Sequence, residues 1–282
     1  KMIFFGAAAQ FGIFFTVMAA ILLSKYIPGL DFSLRECATI GIIGAADGPT
    51  SIVVASKFAQ KLIGPITVAA YSYMALVPII QPPVIRALTT KNERLIRMEY
   101  KEVQVSPVVK IVFPIAITLI AGIVAPSSAS LVGLLMFGNL IKECGVLDRL
   151  SKAAQNELSN IVTLLLGITI GGTMRAEEFL KLHTIIVLAL GLVAFIFDTA
   201  GGVLFAKFLN LFSKEKINPM IGAAGISAFP MSARIIQKMA KDEDPYNFIL
   251  IPAVSANVSG QLGSIVAGGL VLALVPWLEK LM

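Results

Sequence analysis

The sequence predicts an all-α polytopic membrane protein, a transmembrane helix bundle that carries two broken-helix repeats. Three observations predict it. Of 282 residues, 57% are hydrophobic and 14% charged, where soluble domains carry about 25% charged residues. Mean hydropathy is +0.86. Several runs approach the roughly 20 apolar residues needed to cross a hydrocarbon core: 2–23, 108–125, 158–172, 182–206 and 248–277. The whole chain, 1–282, reads as one integral membrane domain surrounded by lipid.

The net charge of +6 comes from 23 Lys and Arg against 17 Asp and Glu. Basic loops that set membrane orientation account for it, and no nucleic-acid partner is needed. Cys37, Cys144 and His183 are too few for a transition-metal site or a disulfide framework. Both thiols read as small residues and His183 as interfacial. The chain opens at Lys1 and is apolar from Met2, with Gln10 inside the run and no small-residue cleavage pattern. It makes a poor secretory signal, and the expectation is that the sequence begins partway through a longer protein.

Polar breaks fall at 24–37, 57–61, 89–106, 142–157, 173–181, 207–217 and 238–247. The longest carries Lys91, Arg94, Arg97 and Lys101, with Arg86 just before it, which places it in the cytoplasm by the positive-inside rule. Alternation then puts 125–130 outside, 142–157 inside, 173–181 outside and 207–217 inside. The 131–141 stretch is short and is open to being re-entrant.

The first element with chemistry is the break at 44–51, GAADGPTS. Glycines lower the cost of non-helical angles there, and Pro49 removes a donor and would clash with the carbonyl of Ala45 in a continuing helix. Freed carbonyls beside Asp47, with Thr50 and Ser51, offer what a hard cation takes. A lone carboxylate at a helix centre costs about 2.5–3.5 kcal/mol on insertion scales, which a bound cation or proton offsets. The competing reading is an Asp that caps a helix starting at Gly48 or Pro49. Both hold if Asp47 lies at the end of a half-helix.

A second break, INPMIGAAGISAFPMSAR at 217–234, echoes the first: IGAADGPTS at 43–51 is matched by IGAAGISAF at 221–229. The candidate repeats are 38–88 and 218–277, and paired broken helices of this kind point to a midplane site. This break offers Asn218, Ser227, Ser232 and Arg234. Asn218, Gly222 and Gly225 fall at helical spacing on one face, open either to an ion or to a close-packed helix. Arg234 reads as an interfacial anchor or as a bidentate carboxylate clamp. Tyr73 is a belt tyrosine or a hydroxyl for an ion or proton. Asp198, in FIFDTAGG, ranks second among the acids in apolar runs, as a structural partner. Asn257 and Ser259 add oxygens in the last segment.

GAADGPT at 44–50, AAYSYMALVPIIQPP at 69–83, GNLIKECGV at 138–146 and INPMIGAAGISAFPMSAR at 217–234 together resemble the β subunit of sodium-pumping, biotin-dependent decarboxylases. The resemblance runs in consistent order from about residue 2 to 270. Members of that family carry further membrane segments ahead of the point where this chain starts. The resemblance implies decarboxylation of carboxybiotin, with a proton consumed and Na+ exported. It implies catalytic roles for Asp47, Tyr73, Ser227 and Arg234, with Arg234 on the cofactor. It places Na+ at Asp47, Thr50, Tyr73, Asn218, Gly222 and Ser227. It also implies a carboxyltransferase and biotin-carrier subunit, a small single-span γ subunit, a trimer of β subunits and a bacterial inner-membrane location. The alternative is a secondary Na+-coupled transporter of small organic anions. Either way, the two breaks are expected to face each other across one cavity, with Asp47 within about 10 Å of Asn218 or Ser227, near enough for a bridging ion or water.

Overall fold

The computed structural model describes residues 2–27, 30–98, 105–174 and 181–281. Lys101 and the 175–180 turn, both used above to set orientation, lie outside the described residues. Among the described residues all regular structure is helical. Five helical stretches are long and apolar enough to cross a membrane: Met2–Tyr26, Gln60–Leu88, Pro107–Val124, Leu182–Phe212 and Leu250–Glu279. The chain is a multi-pass membrane protein.

The first crossing is not one helix. α1 (Met2–Ala8) and α2 (Phe11–Tyr26) are separated by a turn at Ala9–Gln10, so the run expected as a single span contains a third break. Gln10 Nε2 donates back to the Gly6 carbonyl at 2.9 Å, which supplies one partner for the interrupted backbone.

α3 (Leu34–Gly41) opens on a capping box, Ser33 with Glu36, in which each side chain satisfies an orphan amide of the other. It tightens into a 3-10 turn at Ile42–Ala45. Ala46 then takes φ 50, a left-handed angle without glycine, uncommon enough to mark a backbone held by its surroundings. α4 (Gly48–Phe58) leaves from there. α5 (Ile63–Leu88) does not end at its first proline. It runs on through Pro78, Pro82 and Pro83 to Leu88. A short α6 (Lys91–Arg94) follows, then α7 (Pro107–Val124) and α8 (Ala129–Glu143), which pack together. α9 (Asp148–Ala153), a π turn at Ala154–Leu158 and α10 (Ser159–Thr173) follow one another without a break. α11 (Leu182–Phe212), at 31 residues, is the longest helix among the described residues. α12 (Met220–Ala223) is a single turn, followed by α13 (Met231–Glu243) and α14 (Leu250–Glu279).

Ion pairs define two ends of the bundle. At the basic end, Arg94 meets Glu243 at 2.6 Å, Arg97 meets Asp244 at 2.7 Å and Lys207 meets Glu93 at 3.1 Å. Burial pushes the Glu93 carboxyl up, but the Thr90 amide and Lys207 outweigh it and hold it below the usual range. At the other end Arg35 pairs with Glu279 at 2.8 Å and lies over the Phe58 ring at 5.6 Å.

These ends reveal what the two breaks are. α3 starts and α4 finishes at the Arg35 end, since Arg35 touches Phe58. The segment therefore enters the bundle, turns at 42–47 and leaves the way it came. Asn218 and Glu243 both sit at the Arg94 end, so 218–243 is a second hairpin, entering from the opposite side. Counting every stretch as a crossing gives both breaks one direction; two re-entrant hairpins of opposite direction replace that count.

Enclosure by protein makes the broken backbones tolerable in lipid, and the partners are specific. Ser227 N donates to Ala45 O at 3.1 Å and joins the two turns. The Ala223 carbonyl accepts from Gln81 Nε2 at 2.9 Å, and the Ile226 carbonyl from Asn257 Nδ2 at 2.6 Å. Gly225 lies between α1 and α14: an added Cβ would stand 2.3 Å from the Phe5 carbonyl, and one on Gly260 would stand 2.3 Å from the Gly225 carbonyl.

Candidate cation site

Asp47 occupies the N-cap of α4, with Pro49 in the first turn of that helix. Capping and site-forming are therefore one arrangement. Its Oδ1 accepts from Thr50 N at 3.3 Å, while Oδ2 meets three hydroxyls. Thr50 Oγ1 donates to Oδ2 at 2.9 Å, Ser227 Oγ at 3.3 Å and Ser264 Oγ at 2.6 Å. The three come from the first hairpin, the second hairpin and α14. The carboxylate thus sits at the positive end of the α4 dipole.

Expected and observed partners divide clearly. Ser227 and Thr50 are brought to Asp47 as hydrogen-bond partners, and the two breaks meet. Ser51 turns back, donating to the Asp47 carbonyl at 2.8 Å. Asn218 goes elsewhere: its amide donates to the Arg94 and Ile96 carbonyls, both at 2.9 Å, and its oxygen accepts from Met220 N at 3.1 Å. There it ties the second hairpin to the basic end. The shared helical face for Asn218, Gly222 and Gly225 does not form, because the helix lasts only from Met220 to Ala223. Gly222 lies against α11, where an added Cβ would stand 2.0 Å from the Gly202 carbonyl.

Tyr73 is buried and donates its hydroxyl to the Leu188 carbonyl of α11. The neighbouring Tyr71 is the aromatic residue beside the carboxylate. A Cβ on Gly48 would meet its ring at 2.4 Å, and its hydroxyl lies within electrostatic reach of Asp47. The same side chain lines a cleft of about 470 Å³ between α5 and α10, so Tyr71 touches both the cleft and the turn that holds Asp47. Arg234 is exposed on α13, about 14 Å deeper along the helix than Glu243 at 1.5 Å per residue. Among the described residues it has no acidic partner.

Sequence reasoning missed Ser264 and Tyr71. Ser264 sits in QLGSIVAGG, a small-residue run that reads as helix packing. The available signal is its polarity four residues before Gly268, whose added Cβ would meet the Thr50 methyl at 2.5 Å.

A carboxylate oxygen ringed by hydroxyls suits a hard cation. A hydroxyl both donates and accepts, so each can turn a lone pair to an ion that takes the place of its proton. Among the described residues no group of three or more His, Cys, Asp or Glu is placed to hold a metal ion.

Comparison with known proteins bears on the same residues. The family model described as the Na+-transporting oxaloacetate decarboxylase beta subunit matches residues 1–275. The methylmalonyl-CoA decarboxylase subunit beta of Propionigenium modestum is 53% identical over 274 residues, covering 97% of this chain and 68% of that protein. A probable oxaloacetate decarboxylase beta chain of Vibrio cholerae is 51% identical over 275 residues, covering 98% and 63%. The glutaconyl-CoA decarboxylase subunit beta of Acidaminococcus fermentans is 50% identical over 275 residues, covering 98% and 71%. The chain thus spans about two thirds of the length of these relatives. With the match running through both hairpins, the chain belongs to the family of Na+-transporting oxaloacetate decarboxylase beta subunits.

Proposed function

We propose that this chain is the membrane subunit of a decarboxylase-driven sodium pump. It takes carboxybiotin from a carboxyltransferase and biotin-carrier partner, releases CO2 and couples that step to Na+ export. The observation that carries the reading is the junction of the two hairpins, where Asp47 Oδ2 meets hydroxyls from three separate elements. The names of the relatives, all beta subunits or chains of decarboxylases, support the same class of chemistry.

Loss of CO2 breaks the N–C bond and leaves the electron pair on the ureido nitrogen, which must gain a proton. Asp47, Thr50, Ser227 and Ser264 form a site that holds either Na+ or a proton, so delivery of one accompanies release of the other. Tyr73, Asn218 and Gly222 act at one remove, by fixing α5 to α11, the second hairpin to the basic end, and the hairpin to α11. A single-span γ subunit and a trimer of this chain complete the proposed assembly in the bacterial inner membrane. The deciding experiment is Na+-dependent decarboxylation by the purified complex, with and without this chain. Decarboxylation of equal rate in its absence rejects the reading.

One observation favours a rival, a Na+-coupled carrier of small organic anions: the two hairpins enter from opposite ends, as alternating-access transporters use them. The carrier reading requires Na+ uptake by the chain alone in vesicles free of carboxybiotin. The pump reading requires none.

Arg234 is exposed and free of an acidic partner among the described residues, which suits a residue that receives a carboxylated cofactor. Arg234→Lys keeps the charge and loses the planar fork. We expect decarboxylation to slow by at least tenfold while the Na+ dissociation constant changes less than twofold, on the order of one bidentate contact. A large loss of Na+ affinity with normal decarboxylation of saturating carboxybiotin assigns Arg234 to the ion path instead.

A further inference from the structure

We propose that Asp198 is a second intramembrane ion-binding carboxyl of this chain, one that holds a proton and releases it when a cation binds at Asp47. Asp198 lies on α11 and is fully buried. Its Oδ1 accepts from Ile13 N at 3.2 Å, at the start of α2, and caps the third break from another helix. That contact needs only one oxygen. Among the described residues Oδ2 has no hydrogen-bond partner, and a purely structural cap gives no reason for a second, bare oxygen in an apolar interior.

The place of Oδ2 suggests its use. It abuts the first hairpin: a Cβ on Gly44 would stand 2.6 Å from it and 2.6 Å from the Ala194 methyl. Glycine at 44 therefore lets the turn that carries Asp47 lie directly on this oxygen. Among the described residues no ion pair reaches it, and the backbone amides of Gly12 and Ile13 are the groups that meet its charge. α1 and α2 carry only Lys25 and Tyr26, at their far end, and the first hairpin carries Arg35, Glu36, Cys37, Asp47 and Lys57. On α11 itself, His183 packs edge-on against Phe32 and Lys207 is taken by Glu93. Tyr73 of α5 has given its hydroxyl to Leu188. A carboxyl so placed is stable when neutral, and a proton is the ligand that neutralises it without further oxygens. Buried oxygens without partners on the flanking elements, Gln10 Oε1, Thr16 Oγ1 and Thr199 Oγ1, give the seam spare acceptor capacity.

The coupling follows from the separation. Three residues join Gly44 to Asp47, a reach of no more than about 11 Å along the chain. The carboxyls lie up to a side chain further apart at each end, and at about 18 Å a unit charge in protein changes proton affinity by roughly fivefold. In the state between its two occupants Asp47 is bare and charged and holds the proton on Asp198, and a cation arriving at Asp47 weakens that hold. By linkage, each ion lowers the other's affinity by the same factor.

The inference rests on reading Asp47 as the cation ligand, and the test separates the two. Asp198→Asn mimics the neutral acid and keeps the Oδ1 acceptor. The purified complex in weakly buffered detergent receives NaCl, and proton release is followed with a pH dye beside 22Na+ binding. The expected result is a variant that melts within a few degrees of the parent, binds Na+, and releases half as many protons per Na+ or fewer. A variant that fails to fold shows that the charge itself is structural and overturns the proposal. So does one that folds, binds Na+ and releases as many protons as the parent. A parent that binds no Na+ instead overturns the reading of Asp47.

Discussion

Asp47→Asn should abolish Na+ transport while leaving the bundle folded. The amide keeps the size of the carboxylate and an oxygen for Thr50 N, so the cap on α4 survives. What it removes is the charge. At about 4 Å and an effective dielectric near 20, a unit charge is worth about 4 kcal/mol to a bound cation, or about three orders of magnitude in affinity. Reconstituted vesicles report the transport and thermal unfolding reports the fold. Na+ uptake at parental rate by a well-folded variant removes Asp47 from the ion path.

Gly222→Val should fail differently, by preventing close assembly of the second hairpin with α11. The backbones of Gly222 and Gly202 face each other, and a Cβ on either would stand 2.0–2.1 Å from the other's carbonyl oxygen. Overpacking costs about 1–3 kcal/mol where side chains can move aside. Here the obstacle is backbone, so the upper end or beyond is expected. The loss of melting temperature should already appear without Na+, because the backbone clash needs no ion. Intact stability with weakened Na+ binding returns Gly222 to the ion site.

The sequence made Asp47 legible because a carboxylate among glycines and before a proline, inside apolar surroundings, has few uses. Ser227 was legible by its place in the echoed break. The hairpins themselves were not. α3 and α4 have 8 and 11 residues, and apolar pattern cannot tell a helix that enters and returns from one that crosses. The break at Ala9–Gln10 was hidden for a related reason: its one sequence mark is Gln10, and the glycines that allow it also suit packing. The helical face expected for Asn218, Gly222 and Gly225 does not form, because the helix stops after Ala223; the place of Asn218 and Gly222 in the ion site came from the resemblance and not from spacing. Ser264 is distant in sequence from both breaks and reaches Asp47 only through the path of α14, which no local pattern records.

The central claim is that one cation is held between the two hairpins and α14. Equilibrium 22Na+ binding to the purified complex tests it most directly, comparing the parent with Ser227→Ala and Ser264→Ala. Hydrogen bonds to charged groups contribute about 1.5–3 kcal/mol, so each lost hydroxyl should weaken binding by about tenfold or more. The two losses together should exceed either alone, with melting temperatures near the parent's. Parental Na+ affinity in both folded variants would contradict the account, because the second hairpin and α14 would then have no part in holding the ion.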